Sequence, residues 1–321
     1  MPECRRPRGM ALVVVIWVAT LLTVVLSAFA FSMRTEVEGA RNFKEEAEMA
    51  ALAEAGVARA VAEVLNGERQ GGEAAAAVAR YASGEVPLGR GSFEVTIQDE
   101  ERRVPLNRTG PDVLTRLFRQ TGVDARAAEA IADAILDWRD PDDLHRLQGA
   151  ETEYYRALPV PYRARNGDFE TLEELLLVKG VTPEIFAGTA TPERLAELLA
   201  RRPDERDFQA GEYLGLARFL TVWGSGRVNL NTASSDVLVA MGVPPAEAQA
   251  LRQTREEGLV FREQPAAARG AQFALASTTY AIESIGRLPG SPATYRIRAI
   301  VRSEGTPAQP RVSIVAWNAG V

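Results

Sequence analysis

The sequence predicts an α+β fold in which a long N-terminal helix packs on a small antiparallel sheet, and a large, mainly helical insertion interrupts that sheet. Three observations predict it. Met10 to Met33 carries no charged side chain and runs without a proline into helix-forming residues as far as Leu65. Alternating apolar and polar residues mark strands at both ends of the remaining chain, and the stretch between those ends reads helical. Strands split by a helical block imply an insertion, with the two ends pairing in one sheet.

The first element is a membrane helix. Its 24 uncharged residues would cover about 36 Å at 1.5 Å per residue, enough for a hydrocarbon core of about 30 Å. Arg5, Arg6 and Arg8 precede it, so the positive-inside bias places residues 1–9 in the cytoplasm and the bulk of the chain across the membrane. A cleaved secretory signal is the competitor, but the apolar stretch is too long and continues into an amphipathic helix with Ala51, Leu52, Ala55, Ala58, Val61, Val64 and Leu65 on one face. Cys4 lies before the apolar segment, which excludes a lipoprotein signal.

After a loop from Asn66 with Gly71 and Gly72, Ala74 to Ala82 reads as a short helix and Gly91 to Ile97 as a strand. A turn at Asp99–Glu100 then leads to a short partner strand through Val104. Thr279 to Ile285, Thr294 to Val301 and Arg311 to Trp317 are three further strands separated by Gly/Pro turns. The expected organisation is a leader at 1–9, the membrane part of the helix at 10–33 and its outer part at 34–66. The first sheet segment then spans 67–106, the helical insertion 107–275 and the last strands 276–321.

The insertion contains a repeat. Leu106-Asn107-Arg108-Thr109-Gly110-Pro111-Asp112-Val113-Leu114 matches Leu230-Asn231-Thr232-Ala233-Ser234-Ser235-Asp236-Val237-Leu238 at five positions, and Gly122-Val123 and Gly242-Val243 come after them. Ser, Thr or Asn before an apolar helix is N-cap chemistry, and Gly-Val after it is a stop. The second copy, through Ala248 and Arg252, resembles a helix-hairpin-helix element, so a membrane-anchored DNA-binding protein for DNA uptake is the rival reading. Pro244 and Pro245 lack amide hydrogens to offer phosphate, and Asp124 holds the same place in copy one, both of which count against nucleic acid as a partner.

Composition narrows the chemistry. The 321 residues are 46% hydrophobic and 25% charged, which supplies a sizeable core and argues against wholesale disorder. With 37 basic and 43 acidic residues the net charge of -6 weighs against broad attraction to nucleic acid. One cysteine and one histidine exclude an internal disulfide, a Cys/His zinc site and a multi-histidine cage. His145 reads as a solvated loop residue, no G-x-S-x-G elbow occurs, and an enzyme is not expected.

The acidic stretch is the best candidate for ion chemistry. Asp137, Asp140, Asp142 and Asp143, with Glu151 and Glu153 after them, lie in a segment held by Pro141 and Gly149 and can supply the oxygen ligands that calcium prefers. EF-hand spacing is absent. The competing reading is a solvated acidic loop in which Glu151 and Glu153 pair with Arg139 or Arg146.

Two sets of residues carry a family resemblance. Arg5-Arg6-Pro7-Arg8-Gly9 followed by Met10-Ala11-Leu12-Val13-Val14-Val15-Ile16 resembles the class III leader of type IV pilins and type II secretion pseudopilins. The resemblance implies cleavage between Gly9 and Met10 by prepilin peptidase, N-methylation of Met10 and a pseudopilin fold. Val14 stands where most such subunits have a glutamate at the fifth mature position, an absence typical of the K component of the general secretion pathway. Asp137-Trp138-Arg139-Asp140, Gly149-Ala150-Glu151, Tyr154-Tyr155, Glu174-Leu175 and Val228-Asn229-Leu230-Asn231-Thr232-Ala233 resemble the periplasmic part of that component. The resemblance further implies a minor pseudopilin in the inner membrane, with its N-terminus cytoplasmic and its globular part in the periplasm. It would cap the pseudopilus tip and nucleate its assembly for export of folded proteins, with the I and J minor pseudopilins and the inner-membrane assembly platform as partners and calcium in the globular part. Loss of residues 1–9 removes three arginines, one glutamate and the only cysteine, taking the charge from -6 to -8.

Overall fold

The computed structural model describes residues 10–70, 78, 81–306 and 308–320. The leader, with Gly9, and most of the helix expected over 74–82 lie outside those residues. One helix, α1 (Met10–Gln70), forms without a break, built from alanine, leucine and glutamate with i,i+4 pairs at Arg41–Glu45 (2.8 Å) and Arg59–Glu63 (2.9 Å). Its two ends differ. Residues 11–44 are exposed throughout, whereas Met49, Leu52, Ala53, Val57, Ala60 and Val64 are buried at helical spacing.

That second stripe packs on a five-stranded antiparallel sheet of order β1 (Ala82–Leu88), β2 (Gly91–Asp99), β7 (Thr279–Arg287), β8 (Thr294–Thr306), β9 (Gln309–Ala319). Phe93, Val95 and Ile97 of β2, Ile282 of β7, and Ile297, Ala299 and Val301 of β8 form the sheet side of the core. Full burial of each such Val or Ile contributes about 1.5–3 kcal/mol. Two glycines let the helix come close. A Cβ on Gly56 would lie 2.1 Å from Ser284 Oγ, and one on Gly286 2.1 Å from the Met49 carbonyl oxygen.

The partner expected for the first strand is corrected by the structure. β2 pairs with β1, the segment before it, and not with residues through Val104. Asp99 caps a 3-10 turn, Glu100–Arg102, that swings the chain out of the sheet. The two-residue β3 (Val104–Pro105) then pairs in parallel with β4 (Leu220–Thr221), and β5 (Val228–Asn229) pairs in parallel with β6 (Phe273–Ala274).

Everything between β2 and β7 is built around its own core, including Leu114, Phe118, Ile131, Ile135, Trp138, Tyr155, Leu214, Leu238 and Phe273. This insertion is less helical than expected. Its helices are α2 (Pro111–Gln120), α3 (Ala125–Arg139), α4 (Thr152–Arg156), α5 (Pro183–Ala187), α6 (Pro192–Ala200), α7 (Ser235–Ala240) and α8 (Pro245–Glu256), joined by 3-10 turns and long loops.

The repeat is structural. Gly122 and Gly242 both take positive φ, at 99° and 100°, and close equivalent turns in which the next residue donates back into the preceding helix, Val123 N to Phe118 O at 3.1 Å and Val243 N to Leu238 O at 3.0 Å. Helices α2 and α7 pack together, and Arg116 Nε donates to Ala240 O across them at 2.9 Å. The shared asparagines do one job twice. Asn107 donates to Phe169 O and accepts from Phe169 N, at 2.9 and 2.8 Å, while Asn231 donates to Phe261 O and accepts from Phe261 N, at 3.0 and 2.8 Å. Each side-chain amide thus stands in for a strand backbone.

Candidate functional site

The acidic loop starts where α3 ends. Asp137 lies on the last turn and is fully buried; its oxygens accept from Arg146 N (3.0 Å), and the Arg146 guanidinium stands 3.5 Å from Asp137 and 3.4 Å from Asp140. The chain then doubles back through Gly149. A Cβ there would meet Asp137 Oδ2 at 1.8 Å, so the turn closes directly on that carboxylate. Lys179 secures it from outside, donating to the carbonyls of Gln148 and Gly149 at 3.1 and 2.9 Å.

Beneath the loop lies a ring cluster. Trp138 meets Tyr155 edge-on at 5.1 Å, and Tyr155 stacks on Tyr162 at 5.2 Å. Trp138 and Tyr155 are buried and Tyr162 is half-buried.

The structure brings together three of the six expected carboxylates. Oxygens of Asp140, Asp142 and Glu151 lie within 4.8 Å of one another. Asp137 faces inward to the Arg146 amide, Asp143 accepts from Asn166 Nδ2 at 3.3 Å, and Glu153 points to solvent on α4. The pairing expected of Arg139 and Arg146 with Glu151 and Glu153 is replaced. Arg146 pairs with Asp137 and Asp140, and Arg139 donates to the carbonyls of Leu106 and Thr109. Arg255 holds Leu230 O at 2.8 Å in the second repeat, so both arginines anchor the start of their own copy.

Several oxygens in and beside the cluster have no donors, although Asp142 Oδ1 accepts from Leu144 N at 2.8 Å. Both carboxylate oxygens of Glu151, Oδ1 of Asp140 and Oδ1 of Asn166 are buried without a hydrogen-bond partner. Asn166, at a positive φ of 49°, reaches the same loop by donating to Asp142 O at 3.1 Å. Burial, then the carboxylates of Asp137 and Asp140, push Glu151 up to about 7. Clustered carboxylate oxygens, those of Glu151 and one of Asp140 without hydrogen-bond partners, fit a hard cation such as calcium. Nothing in the sequence around Asn166 singles it out as a ligand.

The other expected positions are simpler. Val14 lies on the exposed, apolar part of α1. His145 is exposed, and its ring nitrogen meets Arg146 O at 3.0 Å. The hairpins offer phosphate little: the Asp124 side chain takes the amides of Arg126 and Ala127 at 3.0 and 3.1 Å, and prolines hold the corresponding turn of the second copy.

Residues 94–190 match the family model of the type II secretion system (T2SS), protein K. Type II secretion system protein K of Pectobacterium carotovorum subsp. carotovorum is 36% identical over 74 residues, 23% of either chain. The protein of the same name from Aeromonas hydrophila is 26% identical over 228 residues, 64% of this chain and 67% of that one. The match thus spans about a quarter of the first relative's length and two thirds of the second's. Among solved structures, the GspK-GspI-GspJ complex from the enterotoxigenic Escherichia coli type 2 secretion system contains a chain with the same fold, at a TM-score of 0.58 and 16% identity. That alignment covers 89% of this chain and 99% of that one.

Proposed function

We propose, since this chain belongs to the type II secretion system protein K family, that it caps the pseudopilus tip and nucleates pseudopilus assembly for the export of folded proteins from the periplasm. It is a structural subunit and not an enzyme. The observation that carries the reading is the division of α1. A continuous helix buries its second half on a sheet while residues 11–44 stay exposed, and the first of those are apolar. Such a helix needs an environment from outside the chain, a bilayer before assembly and neighbouring helices after it.

Two further features support the tip. Val14 offers no carboxylate to the N-terminal amine of a subunit ahead, so nothing need lie there. The insertion adds a second core beside the helix–sheet core, a bulk that suits the end of a filament better than its packed shaft. In this reading prepilin peptidase cuts between Gly9 and Met10, Met10 is N-methylated, and the head stands in the periplasm with the N-terminus cytoplasmic. The I and J minor pseudopilins and the inner-membrane assembly platform are the partners.

Asp140, Asp142 and Glu151, with the Asn166 amide oxygen, would hold a calcium ion. Its charge would neutralise the carboxylates and fix the loop from 140 to 151 against the ring cluster. The test is the detergent-solubilised full chain from cells making prepilin peptidase. Mass spectrometry is expected to find Met10 methylated at the N-terminus, and co-purification to recover the I and J minor pseudopilins. Retention of residues 1–9, or a chain that recovers neither partner, would sink the reading.

A further inference from the structure

A second feature lies apart from the acidic loop, where the sheet meets the second repeat. A cleft of about 520 Å³ opens between the 3-10 turn Glu100–Arg102, the segment around Phe219, the start of α7 and the end of α8. Its size falls in the range of ligand pockets, about 300–1,000 Å³, and far exceeds what one oxyanion fills. Leu199, Phe219 and Val237 give it an apolar floor, and arginines line its rim.

The charges on that rim do not balance. Arg103 is committed to Glu100 at 2.9 Å and Arg252 to Glu256 at 2.7 Å, while the lining carboxylate of Asp236 is buried against Arg206. Arg102 donates only to the Gln98 amide oxygen (2.9 Å), and Arg218 only to the Leu214 carbonyl (2.9 Å). Among the described residues neither has a carboxylate within ion-pair distance. Burial, and next the neighbouring Arg103 cation, lower the pKa of Arg102, and the carboxylates of Glu100 and Asp99 act against that shift. This occurs in a chain whose net charge is -6.

From this uncompensated rim over an apolar floor we infer that the cleft binds an acidic, partly apolar peptide segment of another protein. Guanidinium groups match carboxylates bidentately, and the apolar residues in the same lining suit apolar side chains beside them. The inference is independent of the tip reading, since it rests on none of the residues of α1 or of the acidic loop.

The test is fluorescence anisotropy with the detergent-solubilised full chain and a labelled octapeptide of alternating glutamate and leucine. The expected result is saturable binding that weakens at least tenfold in Arg218→Glu, weakens in Arg102→Gln, and falls as salt rises. Arg218 is exposed and bonded only to a backbone carbonyl, so its variant keeps the fold, which an unchanged melting temperature verifies. The inference is overturned by absence of binding, by equal binding of the glutamine–leucine peptide, or by indifference to both substitutions. Displacement by inorganic phosphate alone, or tighter binding of duplex DNA through the same arginines, overturns it equally.

Discussion

Two groups of buried carboxylates stand in this protein, and the fold treats them in opposite ways. At the junction of sheet and insertion, Asp99, Glu100 and Glu101 are each about 1% exposed. Asp99 accepts from Glu101 N at 2.7 Å, Asn229 Nδ2 at 2.9 Å and the Thr232 hydroxyl; Glu100 accepts from Arg103 and, at 2.7 Å, from Thr221; Glu101 accepts from the Thr278 hydroxyl at 2.8 Å. In the acidic loop Glu151 is 5% exposed, yet neither of its oxygens has a donor. Burial therefore does not mark an ion site. Donors from Thr221, Asn229, Thr232 and Thr278 make the first group a clamp between two cores, whereas Glu151 in the second group is left without donors.

The comparison breaks first at the clamp. Asp99→Ala would leave the amide of Glu101 without its acceptor and take one acceptor each from Asn229 Nδ2, which also reaches Ser277 Oγ, and the Thr232 hydroxyl, and is expected to cost about 3 kcal/mol in chemical denaturation. An effect below about 1 kcal/mol would mean that the cores are joined by other contacts. Calcium removal should not change the cost, since no loop residue takes part.

The loop should respond to the ion instead. Calcium at about 100 times its dissociation constant stabilises the native state by about 2.7 kcal/mol, so chelation is expected to lower the melting temperature by several degrees. Glu151→Gln should abolish that shift while raising the stability of the metal-free protein, because it removes a buried charge from beside Asp137 and Asp140. Glu153→Gln and Asp143→Asn should leave most of the shift intact. Equal losses at all six carboxylates would indicate a diffuse acidic surface.

A smaller effect is expected at the turn. Gly149→Ala places its Cβ 1.8 Å from Asp137 Oδ2, and displacing that carboxylate from the Arg146 amide should cost about 1–2 kcal/mol and weaken calcium binding in titration calorimetry. The clamp should be insensitive to this change.

How much of the fold is legible in the sequence depends on the range of the forces involved. Strands β2, β7, β8 and β9 alternate in polarity and were readable from that pattern, although β8 and β9 run longer than it marked. Strand β1 was not readable, because Ala82-Ser83-Gly84-Glu85-Val86-Pro87-Leu88 has a glycine at positive φ, a proline and little burial, and exists through its pairing with β2. The partner of Val104 is not legible locally, because Leu220 lies more than a hundred residues away. The acidic loop was readable as composition, but its internal geometry was not. Asp137 and Asp140 are three residues apart on and after one helix end, and only the fold-back through Gly149 turns one to the Arg146 amide and the other to Glu151. The paired roles of Arg139 and Arg255 were hidden because the matching segments of the repeat stop short of both.

The last and smallest effect separates the two groups by sign. Glu151 has an ordinary value of 4.5 and is raised to about 7 in the metal-free fold, so the fold favours its protonated form. Its contribution to stability is therefore full below about pH 4.5 and is lost as pH rises to about 7, by roughly 1–2 kcal/mol. Burial raises Asp99 and Glu101 in the same direction, and their donors work against the shift. Calcium bound as proposed would reverse the slope at the loop, because it would bind the deprotonated carboxylate and displace its proton. Melting temperatures of the wild type and Glu151→Gln, compared from pH 4.5 to 7.5, should converge at the acid end. Without calcium the wild type should fall below the variant as pH rises, and with calcium it should rise above it. Asp99→Asn, tested in the same way, should show no calcium-dependent change of sign, because its neighbours are hydroxyls and amides that no added cation displaces.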